Sequence, residues 1–140
     1  MEQLGLFIIN HWALWSALVI ILILIFINEL ISQKSRAKEL TPAGAVDLIN
    51  HQDAVVVDTR DAESFKAGHI INALRANPED FDKERFKKFK QKPIILVCAR
   101  GLQSPALATK LREQGYEHVT VLSGGMSAWV AANLPVVKGK

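Results

Sequence analysis

Between Glu2 and Glu29 the sequence carries no formally charged side chain when His11 is neutral, and residues 17–27 are drawn only from Ala, Val, Leu, Ile and Phe. A bilayer crossing takes about 20 apolar residues at about 1.5 Å rise each, so the segment over residues 4–27 is long enough to span a membrane. The core helix of a soluble protein would keep a polar stripe, and residues 17–27 have none. A secretory signal peptide would start with basic residues and end on a small-x-small site. Here the start is Met1, Glu2, Gln3, Leu4, and the apolar run passes into Asn28, Glu29, Leu30 and Ile31. Residues 1–31 therefore read as an uncleaved transmembrane anchor that places residues 4–27 in a lipid bilayer. Lys34, Arg36 and Lys38 follow the span and no Lys or Arg precedes it, so the positive-inside rule puts the C-terminal part in the cytoplasm. Trp12 and Trp15 suit the opposite headgroup layer. The short polar stretch 32–39 reads as a juxtamembrane linker.

Residues 40–140 have the pattern of a soluble domain. Thr41 before Pro42 supplies a capping hydroxyl and a proline suited to the first turn, which predicts a helix ending near Asn50. Apolar runs at 54–58, 93–98 and 119–122 predict strands. Their apolar character at consecutive positions predicts burial on both faces, the habit of parallel sheets. Helices are predicted between them at 61–67, 80–89, 104–114 and 126–133. Strand alternating with helix predicts an α/β domain, a parallel sheet flanked by helices and preceded by one transmembrane helix.

Composition narrows the chemistry. Cys98 is the single cysteine, which excludes an internal disulfide and a zinc site built on several thiolates; no metal and no cofactor is called for. A net charge of +3 does not demand nucleic acid, and no motif asks for it. Residues 82–92 gather Lys83, Arg85, Lys87, Lys88, Lys90 and Lys92 around Phe86 and Phe89, with Phe81 just before. The segment reads as a helix covering the sheet with its Phe residues inward; the alternative is an amphipathic surface touching anionic headgroups.

In open α/β sheets, binding groups gather beyond the carboxyl ends of the strands. Two segments fall there, residues 58–60 and residues 98–104. In the second, a cysteine ends a buried strand, a glycine-containing loop follows, and Ser104 and Pro105 open a helix as cap and first helical residue. Successive N–H groups of such a loop converge on one point, and with the helix start they lower a thiol pKa. Arg100 adds a positive charge nearby. The arrangement suits an anion held against a reactive sulfur. These residues alone leave open a structural alternative, with Cys98 a small buried hydrophobe and Arg100 a solvated loop residue.

Three separated segments carry a family likeness. The first has Asp58 and Arg60, the aromatic Phe65, then Gly68, His69 and Ile70, and the pair Asn72 and Ala73. The second has cysteine first, Gly101 fourth and Ser104 seventh. The third has Gly124, Gly125 and Trp129, with Leu134 and Pro135 beyond. In this order and spacing, residues 40–137 resemble a single-domain rhodanese. With the N-terminal anchor and the ending Val136 to Lys140, the chain resembles the membrane-anchored bacterial group of YibN-type proteins.

The resemblance implies a rhodanese-like fold, a bacterial inner-membrane location and a sulfurtransferase reaction in which Cys98 cycles through a persulfide. It implies that Ala99, Arg100, Gly101, Leu102, Gln103 and Ser104 form the substrate cradle. Asp58 and Arg60 would lock a turn as an ion pair, His69 would be a hydrogen-bonded core or rim residue, Gly124 and Gly125 would permit close backbone approach, and Trp129 would pack. Two positions depart from the pattern. Gln103 stands where the loop often carries arginine, which removes a charge from the rim, and Asn133 stands where glycine commonly precedes the Leu-Pro pair.

The leading expectation is a membrane-anchored sulfurtransferase that takes sulfane sulfur from a small donor and passes it through Cys98 to a thiol or protein acceptor. With no second cysteine the persulfide cannot resolve as an internal disulfide, so the acceptor is external. The alternative is a non-catalytic rhodanese-like adaptor that binds a membrane protein or its assembly machinery. Phosphatase chemistry fits least, because it wants an arginine where Ser104 stands. The charge asymmetry around the span makes the topology testable: protease added to intact spheroplasts should spare the C-terminal domain, and digestion of that domain would reverse the orientation.

Overall fold

The structure, a computed structural model, describes residues 1–35 and 38–139. Arg36 of the basic trio, Ala37 of the expected linker and Lys140 at the expected domain end lie outside the described residues. The chain divides into two units, Met1–Arg36 and Ala37–Lys140.

The first unit is helical. Helix α1 covers Glu2–Asn10 and α2 covers Trp12–Ser35, separated by His11, whose φ of −119° leaves helical geometry. The His11 ring turns back to the Phe7 carbonyl, with Nδ1 at 3.0 Å. Within α2 the stretch Trp12–Ser32 is long and apolar enough to cross a membrane, and none of it is buried. This stretch begins later than the expected 4–27 and runs past Glu29, because the chain breaks at His11 and the helix continues through the polar residues that follow Ile27.

The second unit is built on a five-stranded sheet of order β1-β5-β4-β2-β3, with every pairing parallel. The strands are β1 (Lys38–Leu40), β2 (Val55–Asp58), β3 (Leu74–Arg75), β4 (Ile94–Val97) and β5 (Val119–Leu122). The helices are α3 (Pro42–Gln52), α4 (Ala62–Ala67), α5 (Glu84–Lys87), α6 (Ser104–Glu113) and α7 (Gly125–Ala131). Thr41 caps α3 through its hydroxyl, which accepts from Gly44 N at 3.1 Å, with Pro42 in the first turn.

Two-residue alternation explains how continuous apolar strands serve two layers. Val57, Ile94, Leu96, Val119 and Val121 face a cluster with Phe81, Phe86, Ala108, Leu111 and Tyr116. Val56, Ile95, Val97 and Leu122 face the other, with Ala45, Phe65, Ile70, Met126 and Trp129. Each strand thus feeds alternate side chains to helices above and below the sheet, and all strands end on the same edge.

Two features differ from the sequence reading. The helix expected over 80–89 is a 3₁₀ turn, Pro78–Asp82, followed by the short α5. Lys83 between them is extended at φ −77° and ψ 146°, and Asp80 is committed on both sides: it completes a capping box with Asn77 and pairs with Lys83 and Arg85. Phe81 and Phe86 still reach the core, while Lys87 pairs with Glu84 and Lys92 with Asp53. The second difference lies at the sheet edges. β1 joins Lys38 and Glu39 of the expected linker to Leu40 of the expected domain, and β3 has only two residues, too few for any periodicity to register.

The β1 edge is held by its ladder to β5 and by Ser123 N, which donates to Leu40 O at 2.8 Å. A chain beginning at Ala37 should unfold in one cooperative thermal transition, and one beginning at Thr41 should melt about 5 °C lower or more. Equal melting temperatures would show that β1 contributes nothing to the domain.

Candidate active site

β4 ends at Val97, and Cys98, the next residue, stands at the carboxyl edge of the sheet with 3% of the residue exposed. Three neighbours fix the segment around it. Thr59, at the end of β2, donates its N–H to the Val97 carbonyl at 2.9 Å and its hydroxyl to the same oxygen at 3.0 Å. Met126 N donates to Cys98 O at 2.9 Å, and Ser127 donates both its N–H and its hydroxyl to Ala99 O at 3.1 Å each. The start of the loop is therefore sewn to the first turn of α7.

That docking requires glycine at three positions, each with positive φ: Gly101 at 79°, Gly124 at 73° and Gly125 at 57°. A Cβ on Gly125 would collide with the Cys98 carbonyl and lie 2.8 Å from Gly101 N; a Cβ on Gly101 would lie 2.8 Å from Gly124 N. The two backbones touch where side chains would stand.

With its base clamped, the loop folds back over the sulfur. Gly101 N lies 3.0 Å from Cys98 Sγ. Burial alone would push the Cys98 thiol up, but the Ser104 hydroxyl and the backbone N–H groups of Ser104, Gln103 and Gly101 act against it and hold the thiol below its ordinary value. Ser104 does not cap α6 as expected; Gln103 is the flanking residue and Ser104 is the first helical residue. Its Oγ is buried and has no hydrogen-bond partner among the described residues. The hydroxyl nonetheless lowers the Cys98 pKa, and an unpartnered donor near the sulfur gains an acceptor as the thiol ionises.

Cys98, Ala99, Arg100, Leu102 and Gln103 line a depression of about 150 Å³ in front of the sulfur. Ala99, Arg100, Leu102 and Gln103 are exposed, and Arg100 makes no hydrogen bond or ion pair with any described residue. Leu102 is 80% exposed on the rim.

The other signature residues stand behind the site. Asp58 is buried and grips Arg60 at both carboxylate oxygens, with Arg60 Nη2 at 2.7 Å from Oδ2 and Nε at 3.0 Å from Oδ1. The same guanidinium donates to Gly68 O at 2.7 Å. His69 is buried, stacks on Phe65 at 3.8 Å and places Nδ1 2.7 Å from Phe65 O. Its backbone exchanges two hydrogen bonds with Val137. Trp129 is buried and donates Nε1–H to Pro135 O at 3.0 Å. Asn133, in the position noted for glycine, has φ 58°. Thr59 and Ser127, which hold the strand end and the loop, were not singled out by the sequence; their positions inside the first and third signatures were the available signal. Among the described residues no group of three or more His, Cys, Asp and Glu side chains could hold a metal ion.

A parallel sheet carrying one buried cysteine at a strand end, under a loop of inward N–H groups, defines the class of protein. The chain belongs to the rhodanese-like family, whose Rhodanese-like domain model matches residues 41–132. It is 34% identical to the uncharacterized protein YibN of Escherichia coli K12 over 143 aligned residues, covering the whole of both chains. It is 41% identical to the thiosulfate sulfurtransferase GlpE of Pseudoalteromonas translucida over 98 residues, covering 68% of this chain and 90% of that one. The fold matches that of a rhodanese-related protein from Thermoplasma volcanium with a TM-score of 0.62 at 22% identity, over 71% of this chain and 97% of that one.

The hydroxyl and amide contacts make Cys98 titration separable from its burial. Ser104→Ala should move the midpoint of iodoacetamide alkylation to higher pH and slow alkylation at pH 7 by about threefold or more. An unchanged midpoint would remove Ser104 from the thiolate's stabilisation.

Proposed function

We propose that the chain is a membrane-anchored sulfurtransferase that carries sulfane sulfur on Cys98. The observation that carries this reading is the Gly101 N–H held 3.0 Å from a buried sulfur whose pKa is lowered by the Ser104 hydroxyl and the loop N–H groups. A cysteine whose thiolate is favoured inside an anion cradle is built for attack on sulfur. The Cys98 thiolate attacks the outer sulfur of thiosulfate or of a persulfide donor. A new S–S bond forms as the old one breaks, and sulfite or a thiolate leaves with the electron pair. The terminal sulfur of the Cys98 persulfide then bears the negative charge. The same N–H groups and the Ser104 hydroxyl are placed to stabilise it. A thiolate of an acceptor molecule or protein, or cyanide, attacks that outer sulfur and returns Cys98 to its thiolate.

The name of the Pseudoalteromonas relative supports thiosulfate as one donor. Gln103 argues for a weak grip on that dianion, because the rim presents Arg100 as its cation. The apolar stretch Trp12–Ser32 supports an anchor in the bacterial inner membrane, with the domain on the cytoplasmic side where the thiol stays reduced.

A second reading, a non-catalytic adaptor for a membrane protein or its assembly machinery, is favoured by Leu102. A large apolar side chain held out on the rim of the depression suits a protein surface better than a small polar donor.

Intact mass after exposure to thiosulfate or a persulfide should show one added sulfur on the wild-type chain and none on Cys98→Ser. Arg100→Ala should raise the KM for thiosulfate more than it lowers kcat, and Gln103→Arg should improve thiosulfate use. If no donor adds sulfur to Cys98, the enzyme reading fails and the adaptor stands.

A further inference from the structure

The parallel sheet has two unlike ends. Cys98 lies beyond the carboxyl end of β4, whereas Lys38, Val55, Ile94 and Val119 open their strands at the other end; Val55, Ile94 and Val119 are in register, and Lys38 pairs with Thr120. At that second end a cleft of about 430 Å³ opens beside Lys38. Its volume falls in the range of small-molecule sites.

The cleft mixes apolar walls, Leu48, Pro93 and Val119, with polar side chains whose charges are mainly cationic. Arg112 of α6 and His118, just before β5, line it with Lys38, and Gln52 and Gln91 add amide groups. Among the described residues Glu117 is the only carboxylate in the lining, and it lies 3.9 Å from His118 Nε2. Arg112 donates to Val119 O at 3.3 Å, which fixes it at the start of β5. Lys38 is exposed and makes no hydrogen bond or ion pair with any described residue. Asp53, which follows α3 and precedes β2, pairs with Lys92 at 3.4 Å.

The covalent chain brings this end to a particular place. α2 ends at Ser35 and β1 begins at Lys38, and three Cα steps of about 3.8 Å limit their separation to about 11 Å, whatever angle helix and domain adopt. With α2 in a bilayer, Lys38 is held within reach of the headgroups. A cationic cleft kept at that level meets phosphate groups at very high local concentration.

We propose that this cleft binds the phosphate headgroup of an anionic phospholipid in the bilayer that carries α2; the inference rests on the anchor reading. Lys38 and Arg112 supply the charge and the Gln amides the hydrogen bonds. His118 adds a donor, and a charge when protonated. The site is distinct from the Cys98 depression and needs no sulfur chemistry.

The test uses the full chain in nanodiscs of phosphatidylcholine, with or without phosphatidylglycerol, and follows acylation of Lys38 by an N-hydroxysuccinimide ester with peptide mass spectrometry. In phosphatidylglycerol discs Lys38 of the wild-type chain should react about threefold more slowly than Lys38 of a His118→Glu chain, whose new carboxylate repels the headgroup. In phosphatidylcholine discs the two chains should react alike. Comparing two chains in the same lipid cancels the general field of the surface. Gln91→Glu, also at an exposed residue, should act in the same direction. Equal rates for wild type and both variants in phosphatidylglycerol would overturn the proposal. Slowing by soluble glycerol phosphate in phosphatidylcholine discs as large as that by the anionic lipid would assign the cleft to a free phosphate ester and also overturn it. Failure of the chain to enter discs would overturn the anchor itself, and this site with it.

Discussion

The cysteine end of the domain depends on one close backbone approach, Gly125 against the Cys98 carbonyl. Polypeptide backbones pack this tightly only where no Cβ intervenes, and beside this contact Gly101 meets Gly124 in the same way. The approach lets α7 accept the strand end through Met126 and Ser127, so the residues after Ala99 can turn back over the sulfur rather than run out into solvent. Without it the amides of Gly101, Gln103 and Ser104 would have no common target. The thiolate is thus stabilised by groups whose positions are set by a neighbouring helix, and electrostatic stabilisation of this preorganised kind needs no rearrangement when charge appears.

A second layer of constraint holds the strand ends. Asp58 is a buried carboxylate, and burial of a lone charge is costly, so Arg60 answers it at both oxygens and spends its remaining Nη2 contact on the Gly68 carbonyl. The turn after β2 is locked, and Thr59, between the paired residues, donates to Val97, one residue before Cys98. The ion pair thereby acts on the site through position rather than through contact with the sulfur.

How much of this was readable in the sequence follows from how local each signal is. Cys98, Gly101 and Ser104 lie within one loop, and the β-branched run before them marks a buried strand by itself, so the site could be found by spacing. The central strands β2, β4 and β5 were equally plain because burial on both faces leaves an unbroken apolar run. The edge strands were not, since Lys38, Glu39 and Leu40 become a strand only through pairing with residues 120–122. The break at Lys83 was hidden for a different reason: the Phe spacing suits a continuous helix, but Asp80 has stronger local partners on either side. Ser104 looked like a cap because its side chain competes for backbone N–H groups at helix starts. The helix instead takes Gln103 as its flanking residue, and the buried Ser104 hydroxyl lowers the Cys98 pKa.

The pairing of β1 with β5 has a further consequence, for the order of events during synthesis. The first strand of the sheet lies beside the last one made, and the extreme C-terminal segment closes against His69 and Lys66 through Val137 and Gly139. Contacts this far apart in sequence form late and slowly. On the ribosome, α2 is complete while most of the sheet is still unmade, so the apolar helix meets its environment before the domain has a core to offer it. The sequence of emergence itself keeps the greasiest part of the chain from competing for the interior of the fold.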